Sequence, residues 1–458
     1  MSAGVLAPGP ARRRAAVHLA VFGATLLTWM LVYARATVGS VGVTGPGNRG
    51  DIGLGDVLWC VLALATAFIL ALRWRAVRIP VALPVGGWMA VPYLAGAVLL
   101  PVIGVVVADW PPSYAAPAVR QLQWCAFAVF TVALAWRVGA ERVWTLLRTL
   151  VVVCAVSHAL YAAIQLLFAV GLVGQAWVWL DDAYRARSTL SWFFYPRLTG
   201  LLVNPNSYGL FSVFAVVLLV ADAVAGRAAS GPWRTVGLVA AAAGIAGSGS
   251  RSALVGITAA LLVMSAVALA HRASRRRFAA WALRGALAGG LLFAVLLPAV
   301  PPAMWQRFVR LWLVLLTGTG ADVDAAARTR MWSDLWTRYV TEHPFGTLVP
   351  ASYATGSEVD SFYVVTTVQG TPLWTLAFIV HLIGIVLLGA HVARRGTALD
   401  RAVGFTLAGW AAILALASIT LQAMLEPGLV APLWAVVGLA LWRLLAPSSS
   451  PDASPVSA

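Results

Sequence analysis

Two arginines, two asparagines and an aspartate are the residues of this sequence best placed to do chemistry. Arg197 opens the stretch RLTGLLVNPNSYGL, where Asn204-Pro205-Asn206 stands at the edge of a long apolar run. Arg251 lies in AGSGSRSALVG, with almost no polar sequence between the apolar runs on either side. A planar guanidinium binds phosphate oxygens through paired N–H donors. Asparagine caps the free N–H groups of a helix start, and proline suits the first helical position. A helix N-terminus that points into a cavity is itself an anion site. Arginine beside such a terminus therefore suits a phosphate or pyrophosphate. Arg197 has an alternative role as an interfacial anchor whose head snorkels to lipid headgroups. Arg251 has one as an exposed turn residue, but a guanidinium deep in an apolar region must face protein or water.

Asp360, in GSEVDSFYVVTTVQGTPLW, precedes an apolar run. Burial raises the basicity of a carboxylate, which suits it to accept a proton from a hydroxyl. The same position also fits an N-cap for the helix that follows. His343 in EHPFG offers a second base or a C-terminal cap. His158 and His381 fall in mid-run, and His381, flanked by Val and Leu, reads as a packed residue. The DVD at 322–324 is a lone match in a long polar segment and a weak metal signal. No P-loop, GxSxG, HExxH or paired CxxC occurs. Cys60, Cys125 and Cys154 lie in apolar runs without metal or disulfide spacing, as small buried hydrophobes do.

The elements that must position these residues are membrane helices. The chain has 458 residues, of which 61% are hydrophobic and 10% charged. A soluble domain carries about a quarter charged residues. About twelve runs meet the ~20-residue criterion for a span. They lie near 17–35, 55–72, 82–107, 117–136, 149–170, 203–224, 235–249, 253–270, 281–300, 371–390, 402–422 and 429–445. The run at 235–249 is short, and Pro84, Pro92 and Pro101 predict a kink or break in the run at 82–107. All basic residues are arginine, and the formal net charge is +16. With Arg12, Arg13 and Arg14 in the cytoplasm, every second loop carries arginines, as the positive-inside rule requires. Both termini are then cytoplasmic, and the Ser/Pro-rich tail at 446–458 reads as disordered. No soluble basic domain is long enough to bind nucleic acid.

This topology predicts a cytoplasmic tail at 1–16 and a first group of spans with an outer loop at 17–194. A polar-rich central region follows at 195–375, then the last spans at 376–445. Two long segments, 171–202 and 301–370, face outward. Within the second, AAARTRMWSDLWTRYV places Met331, Leu335 and Trp336 on one stripe of an amphipathic helix. Arg197, Arg251, Arg328 and Asp360 all fall on the outer face.

The order of RLTGLLVNPNSYG, GSGSRSALVG, RTRMWSDLWTRYVTEHPFG and DSFYVVTTVQGTPLW resembles the bacterial O-antigen ligase and polymerase family, over roughly residues 195–375. The resemblance implies an integral-membrane glycosyltransferase of the GT-C class with an extracytoplasmic active site. It implies a glycan donor on undecaprenyl pyrophosphate, a saccharide or lipid-saccharide acceptor, and no nucleotide sugar or metal. By position, Arg197 and Arg251 match the arginines that hold the donor pyrophosphate, with Arg328 a weaker third. Asn204 and Asn206 belong to the same substrate-binding motif. The ligase branch has a histidine-asparagine-like pair where this chain has Asp360-Ser361. That departure favours a polymerase, or a ligase-like enzyme of another surface polymer, with Asp360 as base. The rival is a flippase of lipid-linked oligosaccharide, which should carry polar residues along a two-sided path and often repeated halves. Here the polar groups gather on one face and no repeat is visible.

Overall fold

Backbone N–H and C=O groups in lipid have no water to bond, so an apolar chain of this kind satisfies them internally as helices. The computed structural model describes residues 10–31, 37–40, 51–53, 57–59, 84–179, 197–202, 204–227, 231–271, 274–284, 323–343, 345–349, 359, 361–419, 421, 424 and 427–445. Helices α1 (Pro10–Leu31), α2 (Val85–Val107), α3 (Ala116–Val138), α4 (Ala140–Ala169), α5 (Pro205–Val224), α6 (Gly231–Ser248) and α7 (Arg251–Leu269) form the first part of the bundle. A short helix α8 (274–284) and helix α9 (Val323–Leu335) precede α10 (Phe362–Ala393), α11 (Ala398–Ala417) and α12 (Pro427–Leu445). A two-stranded antiparallel ribbon, β1 (Thr37–Ser40) with β2 (Asp51–Gly53), is an addition to the all-helical expectation.

Eight of the described helices are long and apolar enough to cross a membrane. The chain is a multi-pass α-helical membrane protein. Helix α1 has an apolar part of Ala15–Leu31 only, and α6 occupies the weak run near 235–249. The runs near 55–72 and 281–300 lie largely outside the described residues. The centre of the bundle is α5, whose apolar window is 89% buried, against 17% for the peripheral α2. Around α5 pack α4, α6, α7, α11 and α12.

Close approach between helices depends on glycine. A Cβ on Gly389 of α10 would lie 2.6 Å from the Gly404 carbonyl of α11, and one on Gly86 of α2 would lie 2.6 Å from the Gly384 carbonyl. Lipid tails are as apolar as leucine, so membrane helices associate through this kind of small-residue contact.

Of the kink or break expected in α2, the structure shows no break. Pro92 and Pro101 sit inside a continuous helix, and Pro84 is its N-cap. The break is instead in α10, where Gly370 (φ −144°) and Thr371 (φ +67°) leave helical geometry before Pro372. The carbonyls freed there are taken up by an outside segment. Thr347 N donates to Val368 O at 2.9 Å, and Leu348 N to Gln369 O at 2.8 Å. Irregular backbone at membrane depth is tolerated only where protein or water satisfies it. The amphipathic α9 buries Leu335 and packs Met331 on the core as expected. Trp336 departs from that stripe and is half exposed, because the helix opens into a π turn over Trp336–Val340.

The bundle has two chemically different ends. At one, Asp222 is fully buried and accepts from Trp144 Nε1 at 2.8 Å and from Arg148 Nη1 at 3.1 Å, with Arg227 Nε 2.8 Å away. Asp400 closes a capping box with Thr397 and pairs with Arg443 Nε at 2.8 Å. Arg277 and Arg401 both donate to the Ala225 carbonyl at the C-terminus of α5, where cations favour the helix dipole. At the other end stand the starts of α5, α7 and α10.

Replacing Gly404 by leucine should force α10 and α11 apart and cost ~1–3 kcal/mol, as overpacking does. Thermal unfolding in detergent should show a clear drop in Tm. Gly174→Ala, at a position with nothing within 4 Å, should leave Tm unchanged; equal effects from both would contradict the packing described.

Candidate functional site

The start of α5 is built by local chemistry. Asn204 adopts an extended backbone, and its Oδ1 accepts from Asn206 N at 2.8 Å. Pro205 occupies the first turn, where a missing N–H costs nothing. Its carbonyl free for the first turn, Asn204 accepts from Tyr208 N at 3.0 Å.

The start of α7 is built alongside it. Gly249 turns the chain with φ +56°. Ser248 Oγ accepts from Ser250 N, and Ser250 Oγ caps α7 by accepting from Ala253 N, both at 3.3 Å. Gly209 on α5 makes the two starts adjacent, since a Cβ there would lie 2.6 Å from Ser248 Oγ and 2.9 Å from Ser250 Cβ. The turn expected between the runs at 235–249 and 253–270 is thus present and glycine-dependent.

Arg197 lies across this junction. Its Nη2 donates to Asn206 Oδ1 at 2.8 Å and its Nε to Ser248 O at 3.2 Å. Leu198 N donates to Gly247 O at 3.0 Å, so the backbone follows the side chain onto the end of α6. A guanidinium on the terminal carbonyls of α6 is favoured by that helix's dipole. The partners of Arg197 are therefore protein groups, and the simple interfacial anchor does not describe it. Arg251 is the first residue of α7 and is half-buried. A cation at a helix N-terminus works against the dipole.

Arg197, Asn204, Asn206 and Arg251 are brought to one end of the bundle. Arg328 falls on α9. Asp360 lies outside the described residues. The cap of α10 is Ser361, whose Oγ accepts from Val364 N at 3.4 Å, and not the aspartate before it. Phe362 N donates to Ser418 O at 2.8 Å, tying the start of α10 to the end of α11.

A polar layer behind Arg197 was not anticipated as part of the site. Gln165, buried in α4, accepts from Thr199 N at 3.0 Å and Gly200 N at 3.2 Å, and its Nε2 donates to Thr199 Oγ1 at 2.7 Å. His158 Nδ1 accepts from Leu201 N at 3.1 Å, which assigns the ring proton to Nε2, 3.0 Å from Met30 O. The signal was a lone glutamine in the apolar stretch LYAAIQLLFAV. His381, as expected, is packed, with Nδ1 3.2 Å from Ala90 O and its ring 4.8 Å from Tyr93.

Two helix N-termini, each roughly +0.5 charge, and two guanidinium groups stand at this end, together with the C-terminus of α6 that Arg197 meets at the Ser248 carbonyl. The ion pairs Arg148–Asp222, Arg227–Asp222, Arg227–Glu141 and Arg443–Asp400 all belong to the opposite end. Neither a scan against protein-family models nor a search of the curated proteins finds a match for the chain.

Gln165→Leu should strand the buried N–H groups of Thr199 and Gly200, at ~1–3 kcal/mol for each unsatisfied donor. The expected outcome is a lower Tm and faster tryptic cleavage after Arg197 in detergent. Unchanged cleavage there would show that Gln165 does not hold the 197–202 stretch.

Proposed function

We propose that the chain is an integral-membrane glycosyltransferase that transfers a glycan from an undecaprenyl-pyrophosphate donor to a saccharide or lipid-saccharide acceptor. A polymerase of surface polysaccharide fits better than a ligase, because Asp360-Ser361 stands where the ligase branch has a histidine-containing pair. The observation that carries the reading is the junction of α5, α6 and α7. There Arg197, Asn206 and the N-terminus of α5 meet the Ser248–Arg251 turn. This junction suits the two phosphates of a lipid pyrophosphate.

In this reading the membrane is the bacterial cytoplasmic membrane. Twelve spans result when α1, α6 and the runs near 55–72 and 281–300 join the eight long apolar helices. Both termini and the paired-arginine end are cytoplasmic, and the Arg197 end is extracytoplasmic, in a GT-C-like arrangement.

The reaction needs no group beyond the chain and its two substrates. Asp360 accepts the proton of the acceptor hydroxyl. The hydroxyl oxygen forms a bond to the anomeric carbon as the bond from that carbon to the pyrophosphate oxygen breaks. The electron pair leaves with undecaprenyl pyrophosphate, and Arg197 and Arg251 stabilise the charge that develops on it. Arg328 is the candidate for a further contact from α9.

Purified protein should elongate a lipid-pyrophosphate glycan in detergent. Arg251→Ala should lower kcat/KM by ~10²–10³-fold, as loss of an anion-stabilising donor does. Asp360→Asn should lower kcat by ~10²–10⁴-fold with little change in donor binding. Arg251→Lys should recover only part of the loss, since an ammonium lacks the planar fork. Full turnover in both Arg251→Ala and Asp360→Asn would sink this assignment.

A further inference from the structure

A cavity apart from the proposed active site lies at the paired-arginine end. It has a volume of about 320 Å³ and opens between α4, α5 and α6. Arg148, Val152 and Val153 of α4, Leu219 of α5, and Trp233 and Arg234 of α6 line it. Its lining combines valine, leucine and tryptophan with two guanidinium groups and the Thr149 hydroxyl. Trp233 is largely exposed on the bundle's outer surface, at the first turn of α6. Tryptophan there matches the residue that marks a membrane–water boundary.

The two arginines are held differently. Arg148 is anchored by the buried Asp222, which it shares with Arg227. Arg227 is also paired with Glu141, so these four charges cancel. Arg234 adds one positive charge, and its Cζ lies 5.0 Å from the centre of the Trp281 ring. A ring contact supplies no oxygen acceptor to the five N–H donors of a guanidinium. The cavity therefore offers a cation with donors to spare beside an apolar slot.

We propose that this cavity binds one anionic phospholipid, its phosphate on Arg234 and Arg148 and the upper part of an acyl chain against Val152, Val153 and Leu219. The charge complementarity and the apolar half together select the lipid. A free phosphate would use only the arginines, and a zwitterionic lipid would bring its own cation to them. Basic pockets between membrane helices are established as headgroup sites in general. This site is independent of the glycosyl-transfer reading, and its test does not use activity.

The full chain would be purified in a mild detergent and mixed with equimolar phosphatidylglycerol and phosphatidylcholine. Native mass spectrometry would then count retained lipids. Wild type should keep one phosphatidylglycerol in preference to phosphatidylcholine. Arg234→Gln should weaken that retention by about fivefold, the effect of one arginine near a lipid headgroup. Val153→Trp, which fills the slot and leaves both arginines in place, should weaken it as well. Tm measured without lipid should be the same for wild type and Arg234→Gln, which separates binding from folding. Equal retention of the two lipids by wild type, or wild-type retention by both variants, would overturn the proposal. So would protection of Tm by inorganic phosphate equal to that by phosphatidylglycerol.

Discussion

One arginine laid across two helix ends organises the polar half of this protein. Arg197 donates both to the terminal carbonyl of α6 at Ser248 and to Asn206 in the first turn of α5. In an apolar surrounding each of these acceptors would be costly to leave unmet. Joining them with one guanidinium fixes how far α5 and α6 slide past each other. The glycines then set the distance, since Gly209 and Gly244 leave room only for the Ser248 and Ser212 side chains opposite. The turn into α7 follows from the same register, and with it the place of Arg251. Behind the junction, Gln165 and His158 absorb the backbone N–H groups of 199–201, so the stretch before α5 is held on both sides.

The arginines of the chain divide by what they face. At the end with Asp222 and Asp400 they neutralise buried carboxylates and cap the carbonyls of α5. There a buried carboxylate without its arginine would be expensive, so these residues hold the bundle together. At the other end the arginines sit with two helix N-termini, which already carry positive potential. Arg197 there is held by the Ser248 carbonyl at the end of α6 and by Asn206 in the first turn of α5, and the proposed donor site is built on that arrangement.

The spans were legible because lipid imposes a length and a hydropathy on them, and the eight long helices stand where apolar runs predicted them. Their starts were less legible. Helix α4 begins at Ala140, ahead of the apolar run near 149, because Glu141 and Arg142 can extend a helix past the lipid boundary. Helix α10 begins at Phe362, carrying the mixed stretch FYVVTTVQ before the break at Gly370. In α2 two prolines sit inside one unbroken helix. It is the Gly-Thr-Pro sequence in α10, with residues 347–348 ready to take the free carbonyls, that interrupts a helix. Arg197, Asn204, Asn206 and Arg251 stand out in the sequence by residue type, and the fold brings them to one end of the bundle. Gln165 and the Ser248 carbonyl were not legible, because a hydrogen bond to a distant segment leaves no local pattern.

The account stands on the claim that the α5–α6–α7 junction is a pyrophosphate site. The most direct measurement is a cryo-electron microscopy map of the full chain in lipid nanodiscs with undecaprenyl pyrophosphate. The account predicts density for the two phosphates between Arg197 and Arg251, at the N-termini of α5 and α7. Phosphate density elsewhere on the bundle, with that junction empty, would contradict it.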